Sequence, residues 1–143
     1  MITGRTYRDM YLADKHHELY TRALDTFGEY DPRTDALKKT WLKYNTAVSL
    51  NTATLSDIEE ANAWRTASKA FFVVDSEPDD WEAYKLNFSP ADEEKAIEAA
   101  KGRYDHLSEH DAARRNDFYL CYAPELENGL PDLDRTVMIT EII

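Results

Sequence analysis

A chain of 143 residues can bury roughly 68–70% of its unfolded surface, so one domain needs no metal or disulfide to hold it. Its single cysteine excludes an internal disulfide framework, no apolar run approaches the ~20 residues of a membrane span, and 17 aromatic residues argue against wholesale disorder. The net charge of −11 falls wholly in the second half: residues 1–73 hold ten Lys/Arg and ten Asp/Glu, residues 74–143 hold seven and eighteen, which disfavours nucleic acid and anionic membranes as direct partners.

In chain order, Met10, Ala13, His17, Tyr20, Leu24 and Phe27 recur at steps of three and four, the apolar face of a first helix that Gly28 is placed to end. Asp31 before Pro32 reads as an N-cap with proline in the first turn, and Leu37, Trp41, Tyr44 and Val48 carry a second helix to about Leu50. Ser56 and Glu59 form a capping box, so a third helix should start near Asp57 and turn Ala61, Trp64 and Phe71 inward. Residues 71–74 either end that helix or form a short buried strand, because period alone does not decide so short a run.

After a break at 75–80, Trp81, Tyr84 and Leu86 read as a short helix, and Ser89-Pro90 opens a longer acidic one with Ile97, Ala100, Tyr104 and Leu107 inward. Gly102 within it suggests close packing, since glycine costs about 1 kcal/mol against alanine there. A further helix is expected from about 111 through Phe118 and Tyr122. Pro124–Asp134 reads as loop, and the β-branched tail 135–143 as a strand. The expected fold is therefore mainly α: a single domain over 1–143, a compact bundle of five or six helices with a short C-terminal strand. The alternative is an α+β fold with 71–74 paired to 136–142. A lone strand needs a partner, and besides 71–74 the sheet edge of a partner protein or the same strand of a second copy would supply one, a homodimer being preferred of these two.

The sharpest literal motif is His106-Leu107-Ser108-Glu109-His110, the H-x-x-E-H spacing in which two histidines on one helix face share a zinc and the glutamate serves as base. A third ligand would have to come from Glu125 or Glu127 in a predicted loop, so His106 and His110 are weak metal candidates and no cofactor is expected. His17, on the apolar stripe, reads as a core histidine. Four unclustered glycines leave no phosphate cradle, and no nucleophile elbow or Ser–His pairing is recognisable. Lys38, Lys39 and Lys43 are read as partners for nearby acids, and Cys121, in Phe-Tyr-Leu-Cys-Tyr, as a small buried hydrophobe.

What remains is acid. Glu94, Glu98, Asp105 and Glu109 stand at steps of four, seven and four, a charged row about 22 Å long on one helix face, with Asp79, Asp80 and Glu82 before it. A compact chain of this length is roughly 37 Å across, over which duplex DNA carries roughly 22 phosphate charges. Eighteen carboxylates diluted by seven cations cannot imitate a duplex, but one groove-sized acidic face is feasible. These seven residues are the expected partner-binding set. The reading is a non-enzymatic, cytoplasmic protein that docks on a basic surface, such as an inhibitor seated in the nucleic-acid groove of a nuclease or defence complex. The alternatives are an assembly protein using its aromatic helices and tail strand, and a zinc hydrolase on the HLSEH motif. The N-terminal stretch Met1-Ile2-Thr3-Gly4-Arg5 lacks the apolar region of a secretory signal, which suits that location.

Overall fold

The computed structural model describes residues 1–76, 80–111 and 117–142, without the side chains of 108–111. Among them are four α-helices and a four-stranded antiparallel sheet, so the all-α bundle with one terminal strand is overturned in favour of an α+β fold. The chain forms two compact units, Met1–Thr66 and Ala67–Ile143. The first has nine basic against ten acidic residues, net −1, and the second eight against eighteen, net −10.

The first unit is helical. Helix α1 (Gly4–Phe27) ends where Gly28 takes φ 85° and its amide reaches the Leu24 carbonyl, a conformation a side chain would strain. Helix α2 (Pro32–Asn51) starts on Asp31, whose carboxylate accepts from the Arg33 amide at 2.8 Å. The four-residue link makes α1 and α2 a helical hairpin, joined by His16–Tyr44, His17–Trp41 and Tyr20–Trp41 ring contacts at 5.5, 4.7 and 5.8 Å. His17 is exposed rather than a core histidine: this end of α1 rests on α2, and its outer side is open to water.

Helix α3 (Leu55–Thr66) is capped by Thr54, whose hydroxyl accepts from the Asp57 amide at 3.1 Å, and not by Ser56. It ends at Thr66, short of Phe71. Trp64 is fully buried beside Tyr7, their ring centroids 5.8 Å apart, and the Tyr7 hydroxyl donates to Glu60. The amine of Met1 lies 2.8 Å from the Asp57 carboxylate. A hydrogen bond from the amine holds the Asp57 carboxyl below its ordinary value, and the same bond raises the amine.

Both signs can be read in stability. The contribution of Asp57 is complete above its unfolded pKa of about 3.9 and disappears as pH falls through the depressed native value; that of the amine is complete below about 8 and disappears as pH rises through the raised value. Thermal unfolding of Asp57→Asn against pH is therefore expected to lack part of both the acid and the alkaline decline of the parent. Parallel profiles would show the pair to be without effect.

The second unit is a sheet with one long helix. Strand β1 (Lys69–Ser76) is central and buried on both faces, which is why Phe71-Phe72-Val73-Val74 shows no alternation. Strands β2 (Trp81–Leu86), β3 (Asp117–Pro124) and β4 (Val137–Glu141) complete the order β2-β1-β3-β4. Two segments read as helical, 81–86 and 117–122, are thus strands. The tail pairs with β3, not with 71–74.

Pairing places Phe71, Val73 and Asp75 on one face with Tyr122, Leu120 and Phe118, and Ala70, Phe72 and Val74 on the other with Ala123, Cys121 and Tyr119. Cys121 is fully buried, and burial pushes its thiol up to about 11, so it serves as a small hydrophobe. Gly129 turns the loop before β4 at φ 83°, and Arg135 closes on Asp132 at 2.8 Å.

Candidate functional site

Helix α4 (Glu93–Asp111) follows a short 3-10 turn at Pro90–Asp92, in which Ser89 donates to the Asp92 carboxylate at 3.3 Å. It lies on the Phe71 face of the sheet. Ala96 and Ala100 are fully buried, the Tyr104 ring meets Phe118 at 5.2 Å, and the Arg103 guanidinium sits 3.1 Å above the ring of Tyr84 on β2. The Tyr84 hydroxyl in turn donates to Glu82 at 2.7 Å, a bond that, with burial, raises the phenol.

Because one side of α4 is committed to the sheet, three of its acids face water. Glu94, Glu98 and Asp105 are all exposed, spread along about 16 Å of helix axis. Neither Glu94 nor Glu98 has an ion pair among the described residues. The nearby cations are otherwise engaged: Lys95 lies 3.9 Å from Asp92, Lys85 2.8 Å from Glu125, and Arg103 on Tyr84. Lys101, also exposed, interrupts the row.

Asp80 and Glu82 are exposed at the start of β2, where Asp75, Asp80, Trp81 and Glu82 line a shallow depression. The expected set therefore divides between two places of the second unit, the outer side of α4 and the β1–β2 end of the sheet. Asp79 and the Glu109 side chain lie outside the described residues. Trp81 and Tyr84 were missed as site residues because they were read as the inner face of a helix. A cluster of Asp, Ser and Pro such as 75–80 between two short apolar runs also bounds strands, and that signal would have found them.

The HLSEH motif falls on the last turns of α4; His106 is exposed, and the Glu109 and His110 side chains lie outside the described residues. Among the described residues no three His, Cys, Asp or Glu are grouped as metal ligands, and no helix is long and apolar enough to cross a membrane. In the first unit, Lys39 pairs with Asp35 at 2.9 Å and Lys43 lies over Tyr44.

Gly102 is exposed, and a Cβ built there meets nothing within 4 Å, so the close-packing expectation is overturned. Gly102→Ala is accordingly expected to raise stability by about 1 kcal/mol in urea unfolding. A loss would show that the glycine has a role the helix does not reveal.

No protein-family model, curated protein or solved structure matches the chain.

Proposed function

We propose that this is a non-enzymatic acidic interaction protein whose second unit docks on a basic protein surface in the cytoplasm, the target class being nucleic-acid-handling proteins such as a nuclease. The observation that supports this reading is the outward row Glu94, Glu98 and Asp105 on a helix whose other side is fixed to the sheet. Outward carboxylates held on a fixed helix attract a basic groove and steer its approach.

The test is capture of partners from host lysate on the immobilised, untagged protein at about 50 and 500 mM salt, a range that shortens the Debye length from about 14 to 4 Å. A basic, nucleic-acid-handling partner released at the higher salt is expected. A partner retained at both would instead favour an assembly role, for which the exposure of Tyr30 (94%) and Leu50 (79%) on the helical unit speaks.

A further inference from the structure

A sheet of four strands in the order β2-β1-β3-β4 leaves two edges, and they differ. On β4 the register slips between Leu120 and Cys121: these pair with Thr140 and Met138, so Ile139 is an extra residue and the strand is bulged. A bulge twists an edge and discourages addition of another strand. Strand β2 has no such defence in its backbone. All six of its residues pair with β1 in unbroken register, from Phe71 with Leu86 to Ser76 with Trp81. Among the described residues no other strand hydrogen-bonds to it, so alternate residues of β2 direct their N–H and C=O groups outward.

The chemistry beside this edge is one-sided. Trp81 is 37% exposed, and with Asp75, Asp80 and Glu82 it lines the depression at the start of the strand. Lys85, the cation of β2, is held by Glu125 at 2.8 Å. Two exposed carboxylates, Asp80 and Glu82, and an indole face, with the buried Asp75 behind them, suit a lysine or arginine through charge and cation–π attraction, and repel an acidic strand. Such charge also opposes a second copy of this chain, which would bring the same carboxylates to the seam.

We propose that the outer edge of β2 docks a basic, extended segment of a partner protein, which joins the sheet as a fifth strand and sets a lysine or arginine against Asp75, Asp80, Trp81 and Glu82. Main-chain hydrogen bonds then supply the register and the acidic depression the selectivity, as in other strand-addition interfaces. The inference rests on the reading of the second unit as a dock for a basic partner, and it specifies the form in which that partner arrives.

The probes are three capped octapeptides: four Lys-Val repeats, four Glu-Val repeats, and four Lys-Pro repeats that keep the charge but lose the alternate amide donors. Binding is followed by amide chemical shifts and hydrogen exchange of the whole protein. The Lys-Val peptide is expected to bind, to slow exchange at alternate amides of residues 81–86, and to weaken at least tenfold between about 50 and 500 mM salt. The Glu-Val and Lys-Pro peptides should bind at least tenfold more weakly, and Glu82→Lys should weaken the Lys-Val peptide similarly.

Equal binding of Lys-Val and Lys-Pro, or shifts confined to α4, would overturn strand addition while leaving an acidic dock in place. No binding by either lysine peptide would overturn this inference, and the lysate capture would then decide the broader reading separately. A dimer of the protein alone that Glu82→Lys dissolves would assign the edge to a second copy and overturn the proposal as well.

Discussion

Phe72→Ala is expected to destabilise the protein by about 3–5 kcal/mol, a large part of the 5–15 kcal/mol that holds a domain of ordinary stability. Phe72 is fully buried on the central strand, opposite Cys121 and Lys85, in a cluster with Ala70, Val74 and Ala123. Three of its companions, Ala70, Cys121 and Ala123, are small and fill little of the space of a lost ring; Tyr119 is the one larger ring packed against the cluster among the described residues. The cost is then the transfer term plus most of a cavity. Chemical denaturation followed by Trp fluorescence and by far-ultraviolet dichroism measures it. A loss under 1 kcal/mol would mean that this face of the sheet is not a packed core.

The second large effect falls on binding and leaves folding nearly untouched. Lysine at Glu94, Glu98 and Asp105 together changes the charge of the second unit from −10 to −4. The three side chains are exposed, and α4 stays anchored through Ala96, Ala100, Tyr104 and Arg103. Only Glu94, in the first turn, assists the helix dipole, worth about 0.3–1 kcal/mol. Unfolding should therefore shift by roughly 1 kcal/mol, while capture of the salt-sensitive partner at about 50 mM salt falls at least tenfold. Unchanged capture by the folded triple variant would remove the α4 row from the interface.

The helical unit was largely legible because its signals are local. Asp31 with Pro32 starts α2 and Gly28 ends α1 where propensity and capping place them, and the stripe from Met10 to Phe27 lies within one helix. The sheet was obscured for a physical reason. Trp81 and Tyr84 are three apart, Phe118 and Tyr122 four apart, and over six to eight residues those spacings imitate a helical face. Strands β1 and β3 are buried on both sides, so the polar alternation that betrays a half-buried strand is missing. Only pairing between segments some forty residues apart distinguishes them, and pairing is not a local property. The spacing of the α4 acids put them on one helix face, but which way that face turns was not legible, and neither was the edge character of β2, since both depend on what stands next to what.

The order β2-β1-β3-β4 also bears on how fast the sheet is assembled. The connection from β1 to β2 is the four residues 77–80, whereas β1 meets β3 across the forty residues 77–116. Tenfold more chain adds about 2 kcal/mol of closure entropy to the second seam. Helix α4 shortens that detour, winding nineteen residues into about 28 Å of rod. The rate at which the second unit folds should accordingly track the helicity of α4, so the same Gly102→Ala change that strengthens the helix would quicken the joining of two strands it does not touch.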